Sequence, residues 1–232
     1  MSIRINKKED FGTADYGWLQ ACYHFSFANY YNPERLGFFQ LRVVNDDKIA
    51  AQSGFDTHAH RNMEIITYVK SGAITHKDSK GNQGRTAAGN IQVMTAGKGI
   101  YHSEHNLENE ECCLYQLWIE PNQEGLEPQW GQLDLSKKTA SSQWQCLISN
   151  HEKSPLKINA NAALYHAKPS KNKRLIFKSP HPLYILMISG QVTIDGQNAK
   201  TGDSIECEGE TNFELEAVMD SELLLIELFV LS

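Results

Sequence analysis

Residues 55–64 of the chain read Phe55-Asp56-Thr57-His58-Ala59-His60-Arg61-Asn62-Met63-Glu64. The apolar run 65–69 follows directly and is typical of a β-strand. Side chains in a strand alternate between its two faces, so His58 and His60 are expected to point to the same side. Two imidazoles on one face can reach a common point, which makes this segment a candidate for binding a divalent metal ion.

A second pair of metal-binding side chains, His102 and Glu104, follows the glycine-marked turn 96–99. One position separates these residues as well, so a regular strand would place them on one face. A lone His-x-His pair also occurs on exposed strands, and the second pair is therefore what favours a metal site. Two strands that face each other across a barrel could bring four donor groups to one ion.

Glu64 shares the parity of His58 and His60, but three residues separate it from His60 and leave room for a bend. We interpret Glu64 as a pocket residue or an alternative ligand, ranked below Glu104. The remaining histidines lack such a partner and are interpreted as structural or solvated side chains: His24, His76, His105, His151, His166 and His181.

Short apolar runs separated by Gly, Asn and Asp recur along the chain, for example in 91–94 and 114–119. Many short strands at close spacing favour a sandwich or barrel over alternating strands and helices. Segment 121–138 has little hydrophobic periodicity and is interpreted as a connector. We therefore predict an all-β protein with little helix and two consecutive β-barrel domains, residues 1–130 and 131–232.

An internal sequence repeat supports two copies of one domain. Segment 71–75 is similar to 189–193, and segment 88–91 is similar to 201–205. The offsets between the copies also project the metal-binding positions into the second one. In place of His58, His60, His102 and Glu104, the projection finds Ile176, Lys178, Leu215 and Ala217. The second copy is therefore predicted to lack a metal site.

The composition disfavours several classes of function. Of 232 residues, 41% are hydrophobic, which allows a sizeable core, and the net charge of −6 comes without a cluster of Lys and Arg. Tight nucleic-acid binding is therefore disfavoured. No apolar run has the length of a membrane span or a signal-peptide core, so a soluble cytoplasmic protein is expected. The five cysteines show no Cys-x-x-Cys spacing, which favours buried thiols over a disulfide framework.

Six segments of the chain together form a recognisable family pattern: 17–19, 24–31, 41–43, 58–64, 78–82 and 94–104. In this pattern the chain resembles the pirin family of the cupin superfamily. Among pirins, it is most similar to the bacterial pirin-like proteins described as quercetin 2,3-dioxygenases. The resemblance extends over the whole chain by length and motif order, and is concentrated in residues 15–120.

The resemblance implies a bicupin, with an N-terminal metal-binding barrel and a C-terminal barrel without ligands. It assigns the metal to His58, His60, His102 and Glu104, the positions that strand parity also selects. Three imidazoles and a carboxylate leave two positions of an octahedral ion open, which favours Fe(II), with Cu, Ni, Co, Mn or Zn as alternatives. The implied activity is cleavage of flavonols such as quercetin with O2. Glu104, with Glu64 in reserve, would accept the proton of the flavonol 3-hydroxyl.

The chain departs from the family pattern at two places. Ala59 stands where the family usually has Pro, and Asn62-Met63 where many members have Gly-Phe, which affects backbone stiffness and the pocket wall. A rival interpretation is a non-enzymatic metal-binding regulator that acts through a protein partner, a role that pirin-type proteins also resemble. Under the main interpretation the protein binds a flavonol-like aromatic substrate and O2. Binding to nucleic acid or to a membrane is not expected, and the protein is expected to be a monomer.

Overall fold

The computed structural model describes residues 2–135, 141–151 and 154–230. The chain divides into two compact units. The N-terminal unit comprises Phe11–Lys138 with Ile158–Ala160, and the C-terminal unit comprises Met1–Asp10, Thr139–Lys157 and Asn161–Ser232. The described part of the chain opens with strand β1 (Ser2–Asn6) and one 3-10 turn (Lys8–Asp10), and every later named element is a β-strand. The prediction of an all-β protein with little helix is confirmed.

The described residues of the N-terminal unit form eleven strands in two sheets. The larger sheet has the order β12-β9-β6-β11-β4-β3-β2, and the smaller one has the order β5-β10-β7-β8. The strands are β2 (Gly12–Asp15), β3 (Leu19–Tyr23), β4 (Leu41–Ile49), β5 (Ser53–His60), β6 (Glu64–Ser71), β7 (Ala73–Asp78), β8 (Gln83–Ala87), β9 (Ile91–Thr95), β10 (Ile100–Asn106), β11 (Cys112–Ile119) and β12 (Gln129–Leu133).

The part of the C-terminal unit that the structure describes also forms eleven strands, β1 among them. Its larger sheet has the order β1-β20-β17-β22-β15-β13-β14, and its smaller sheet has the order β16-β21-β18-β19. The remaining strands are β13 (Gln145–Ser149), β14 (Leu156–Lys157), β15 (Ala162–Ala167), β16 (Arg174–Ser179), β17 (Leu183–Ser189), β18 (Gln191–Ile194), β19 (Gln197–Lys200), β20 (Ser204–Glu208), β21 (Thr211–Ala217) and β22 (Glu222–Leu228).

The two units repeat one sheet order. In each, a seven-stranded sheet accompanies a four-stranded one, and β5-β10-β7-β8 corresponds to β16-β21-β18-β19. The sequence repeat falls on equivalent turns, at Gly72 and Gly190, with φ of 71° and 86°. A Cβ atom at these glycines would lie 2.7 Å from the Glu111 carbonyl oxygen and 2.5 Å from the Asp220 carbonyl oxygen, respectively. Both turns therefore require a residue without a side chain.

Two strands differ from the domain plan drawn from the sequence. β12 lies inside segment 121–138, which the sequence analysis interprets as a connector. It is an edge strand that pairs with β9, and it has too few apolar residues to show a strand pattern in the sequence. The predicted N-terminal domain, residues 1–130, includes β1. The structure instead pairs β1 with β20, from Ser2↔Glu208 to Asn6↔Ser204, and β1 belongs to the C-terminal unit. A partner so distant leaves no local pattern in the sequence. The division near residue 130 stays a prediction.

The core of the C-terminal unit includes the inner face of its small sheet. Leu175 and Leu215 are opposite each other on β16 and β21, as are Phe177 and Phe213. All four belong to or pack on one apolar cluster. The projected positions Ile176 and Lys178 are instead exposed, because the projection was one residue out of register and a one-residue shift moves a side chain to the other face. The other two projected positions, Leu215 and Ala217, are buried.

Strand burial explains why the sequence forms these layers. β17 and β22 are central strands of the larger sheet, and nearly all their residues are buried, which accounts for the unbroken apolar runs 183–188 and 223–226. Burial of each such side chain stabilises the unit by about 1.5–3 kcal/mol. No helix in the described ranges is long and apolar enough to cross a membrane. Of the five cysteines, three are buried, whereas Cys113 is half-buried and Cys146 is exposed, contrary to the expectation of buried thiols throughout.

Candidate metal centre

Three of the four predicted ligands meet on the small sheet of the N-terminal unit. β5 and β10 pair in an antiparallel register that places His58 opposite His102. The ring centroids of His58, His60 and His102 are 4.5–4.9 Å apart in each pair. One ring nitrogen from each of the three lies within 4.8 Å of the others. The pairing of β5 with β10 therefore brings the two predicted segments together, with the three histidines on the same face.

Glu104 lies beside this cluster in a group of its own. A β-bulge between His102 and Glu104 shifts the register, so that Glu104 is opposite Phe55. The Glu104 carboxylate lies with His76 and His102 in a second set of potential ligand atoms that are within 4.8 Å of one another. Its oxygens accept hydrogen bonds from Gln92 Nε2 and Gln116 Nε2, both at 2.8 Å. Burial raises the pKa of Glu104, and these donors act in the opposite direction.

The imidazoles present lone pairs suited to a cation. His58 Nδ1 is 2.7 Å from the Asp56 carbonyl oxygen, to which only an N–H can donate, so His58 Nε2 is the available ligand atom. His102 Nε2 is buried and has no hydrogen-bond partner among the described residues. Burial, and then the neighbouring histidines, lower the pKa of His60 to about 4 and that of His102 to about 2. Neutral imidazoles are the form that binds metals.

His76 is a component of the site that the sequence interpretation missed. Its side chain is 1% exposed, and its Nδ1 is 3.4 Å from His102 Nδ1. On the other side of the ring, His76 Nε2 is 3.1 Å from Asp78 Oδ2. The Asp78 carboxylate in turn accepts hydrogen bonds from the Lys80 and Asn82 backbone N–H groups. The signal that could have found His76 is His-x-Asp on one strand, since both side chains have the same parity on β7.

This chain of contacts fixes which nitrogens carry protons when His102 Nε2 serves as a ligand. His102 Nδ1 then bears the hydrogen and donates to His76 Nδ1, and His76 Nε2 donates to the Asp78 carboxylate. Trp130 holds the His76 ring from one side, with the two rings stacked at 5.0 Å and 9°. The arrangement matches the carboxylate–histidine support that orients metal ligands in other proteins.

A cavity of about 180 Å³ adjoins the histidine cluster. Its polar lining consists of Asn45, Asp47, His58, His60, Glu104 and Gln116, and its apolar lining of Leu19, Tyr23, Phe27, Phe55 and Trp118. Trp118 contacts the His60 ring edge-to-face at 4.8 Å. An apolar wall with a few convergent polar groups is typical of a small-molecule site.

Glu64 lies apart from this cavity. It is fully buried at the start of β6, where Oε2 accepts a hydrogen bond of 2.8 Å from Thr95 Oγ1. Burial raises the pKa of Glu64 to about 7, against the opposing effect of hydrogen bonds from Thr95 and Asn159. Among the described residues it belongs neither to the cavity lining nor to either set of potential ligands.

The two departures from the family pattern have clear structural settings. Asn62 adopts φ of 48°, a left-handed conformation that Asn tolerates better than most residues, so it can replace Gly there. Its Oδ1 also accepts a hydrogen bond from the Gly125 N–H at 3.0 Å. Met63 packs on the apolar cluster of Ile65 and Met94. Ala59 is an exposed residue of β5 between the two histidines.

Comparison with known proteins places this geometry in context. The pirin profile matches residues 4–119, and the profile of the quercetinase C-terminal cupin domain matches residues 146–228. A pirin-like protein of Caulobacter vibrioides is 40% identical over 220 residues, which cover 93% of this chain and 95% of that protein. The chain belongs to the pirin family. It is thus a bicupin, as the resemblance implied.

Two further relatives of this pirin carry more specific names. The quercetin 2,3-dioxygenase of Escherichia coli K12 is 38% identical over 229 residues, covering 97% of this chain and 98% of that protein. The crystal structure of the bacterial pirin YhhW from Escherichia coli in complex with nickel(II) superposes with a TM-score of 0.92 at 38% identity. That comparison covers 99% of this pirin and all of YhhW.

The C-terminal cupin offers no counterpart to the histidine cluster. In its described residues, no group of three His, Cys, Asp or Glu side chains comes close enough to hold an ion. The positions equivalent to the ligand-bearing faces of β5 and β10 carry Leu175, Phe177, Phe213 and Leu215, which pack together as core.

Proposed function

We propose that this pirin is a metal-dependent dioxygenase that cleaves flavonols such as quercetin with O2. The observation that carries the proposal is the convergence of His58, His60 and His102 beside a cavity with aromatic walls. The name of the Escherichia coli relative, a quercetin 2,3-dioxygenase, supports the reaction class. The nickel(II) complex of the Escherichia coli pirin YhhW supports a divalent metal.

The proposed ligand set is His58, His60, His102 and Glu104. The residues fit such an ion, because His58 and His102 each present an Nε2 lone pair and Glu104 adds a negative charge next to them. When bound, the ion would act as a Lewis acid that lowers the pKa of a flavonol hydroxyl held against it. We propose Fe(II) as the native metal, with Cu, Ni, Co, Mn or Zn as alternatives, since two coordination positions would stay open.

Glu104 is the proposed proton acceptor. It borders the cavity, and burial raises the pKa of its carboxyl group, so a proton from the substrate 3-hydroxyl would be retained at one Glu104 oxygen. Gln92, Gln116 and Thr67 donate hydrogen bonds that keep the carboxylate facing this space. The reserve candidate, Glu64, is separated from the cavity lining, and we assign the proton transfer to Glu104 instead.

The aromatic walls would orient the substrate and exclude water. Phe27, Phe55 and Trp118 offer ring faces and edges against which a planar flavonol can pack. Such a dry wall strengthens every electrostatic interaction at the metal end and protects the reactive anion from side reactions.

The test is turnover by purified protein of measured metal content. With Fe(II) or Ni(II) bound, the loss of quercetin absorbance should match the O2 consumed, and both His58→Ala and His102→Ala should abolish it. His105→Ala is the matched control, because His105 is on the same strand as His102 and contacts Asp56 instead. A metal-loaded protein that turns over no flavonol would overturn the dioxygenase and favour a metal-binding regulator with a protein partner.

A further inference from the structure

Two side chains of β4 form a polar part of the cavity that the proposed metal chemistry does not use. Asn45 and Asp47 are two positions apart on the strand and both line the cavity. Their side chains are only 3% and 2% exposed. The Oδ1 atom of each is buried and has no hydrogen-bond partner in the part of the chain that the structure describes.

Stability of the fold does not explain this pair. A buried oxygen without a hydrogen bond costs about 1–3 kcal/mol, and an apolar side chain of the same shape would avoid that cost. The nearby ammonium group of Lys70 is engaged elsewhere, since it pairs with Asp46 and lies 4.4 Å from the centre of the Tyr115 ring. Burial, with the charges of Asp46 and Glu104, raises the pKa of Asp47 to about 8.

The setting of these oxygens indicates what could bind them. They share one cavity with His58, His60 and Glu104, and aromatic rings also line it. An acceptor oxygen in such a place is satisfied by an O–H donor on a ligand. A volume of about 180 Å³ is below the 300–1,000 Å³ of most ligand pockets, so it suits one ring rather than a large molecule enclosed entirely.

We propose that Asn45 and Asp47 form a hydrogen-bonding subsite that selects hydroxylated aromatic ligands, through a hydroxyl other than the group held at the metal. The proposal rests on the proposed function for the metal-binding groups of the cavity and adds a source of specificity in the same cavity. A site built to bind a hydroxyl discriminates strongly against an analogue that lacks it. The preferred ligand therefore carries a chelating oxygen pair and at least one further hydroxyl.

Binding to the Ni(II)-loaded protein under argon tests the subsite without turnover. One probe pair is quercetin and 3-hydroxyflavone, which share the 3-hydroxyl and 4-carbonyl but differ in the remaining hydroxyls. The second pair is hydroxytyrosol and 4-ethylcatechol, single rings that share the catechol and differ in one remote hydroxyl. We expect wild type to bind the hydroxylated member of at least one pair about tenfold more tightly, as one satisfied buried acceptor allows.

Variants locate this preference. In Asp47→Leu and Asn45→Leu the preference should fall to about one- to threefold, while binding of the less hydroxylated probe is unchanged or improved. Asp47→Asn keeps an acceptor oxygen and should retain most of the preference. The matched control is Asp46→Asn, which changes the neighbouring carboxylate that pairs with Lys70 outside the cavity lining.

The outcomes separate the subsite from the flavonol reaction. A preference in the single-ring pair that Asp47→Leu removes would support the subsite even if quercetin is neither bound nor turned over. Quercetin turnover without any preference in either pair would overturn the subsite and leave the reaction standing. A preference that persists in both leucine variants, or binding of none of the four probes, would also overturn it.

Discussion

The four-stranded sheets of the two cupins pair their strands in the same order but use their inner faces differently. In the N-terminal cupin, β5 and β10 present His58, His60, His102 and Glu104 beside a cavity. In the C-terminal cupin, the equivalent β16 and β21 present Leu175, Phe177, Phe213 and Leu215, which fill the interior. The same strand order therefore supports a polar candidate metal site in one cupin and an apolar core in the other, depending on the side chains that the strands carry.

The cost of each use differs as well. Polar side chains on the inner face of β10 must find partners, and Glu104 takes donors from Gln92 and Gln116 to meet that requirement. The apolar face of β21 needs only close packing. Substitutions should therefore have opposite signatures in the two cupins, with loss of metal binding in one and loss of stability in the other.

The largest expected effect is on the ligands themselves. His102→Ala should weaken Ni(II) binding by more than about 1,000-fold, since a direct ligand contributes more than the 10- to 100-fold typical of the groups that support ligands. Competition with a coloured chelator measures the dissociation constant. His166→Ala, in the C-terminal cupin, should leave the Ni(II) dissociation constant unchanged. An equal loss of affinity in this control would contradict the assignment of metal binding to the N-terminal cupin.

Phe213→Ala tests the other side of the comparison. Phe213 is 3% exposed and faces Phe177 across β16 and β21, so its truncation should destabilise the C-terminal cupin by about 3 kcal/mol or more. Urea unfolding gives the free energy of unfolding, and Ni(II) affinity should stay within about twofold of wild type. A large loss of metal affinity would contradict the separate uses of the two inner faces.

Asp78→Asn should reduce Ni(II) affinity by about 10- to 100-fold. The amide would offer an N–H to His76 Nε2, which would move the His76 hydrogen to Nδ1 and set it against the Nδ1–H of His102. In the Co(II)-loaded protein, the proton resonance of the His102 Nδ1–H should shift or broaden. Lys77→Ala, at an exposed position of the same strand, is the control. Unchanged affinity in Asp78→Asn would exclude the proposed order of hydrogen bonds.

Glu64→Gln should give the smallest effect, a change in the pH dependence of stability. The folded-state pKa of about 7 lies above the ordinary value of 4.5, so the Glu64 contribution is fully present below pH 4.5 and is lost as pH rises through 7. The variant should therefore gain stability relative to wild type between pH 5 and pH 8, on the order of 1 kcal/mol. Urea unfolding at the two pH values measures it, and a constant difference would contradict the assignment.

Period-two patterning was sufficient to predict much of this molecule. It selected the pairs His58/His60 and His102/Glu104, because side chains of a regular strand alternate between its faces. The closely spaced short apolar runs indicated the β class, and the repeated glycine segments indicated the two-copy plan. The patterning did not reveal His76, whose role depends on β7 pairing with β10, a contact that no local pattern encodes. The bulge that places Glu104 opposite Phe55 was likewise invisible, since its extra residue lies in β5 between Phe55 and His58, while β10 keeps a regular register with β7.

Long-range pairing also explains the misplaced strands. β12 is short and largely polar, and only its position beside β9 makes it a strand. The projected ligand positions in the second copy missed the inner face of β16 by one residue, because the spacing of the repeated glycines does not fix register. The conclusion drawn from the projection, a C-terminal copy without ligands, remains consistent with the apolar residues on that face.

The pairing of β1 with β20 bears on how the protein folds during synthesis. Arg4 and Glu206 form an ion pair across these strands although they are 202 positions apart in the sequence. During translation β1 is therefore synthesised long before β20, the strand with which it pairs. β1 stays without this partner while the N-terminal cupin is synthesised. Contacts of such separation slow folding, so completion of the second cupin is expected to be the late step.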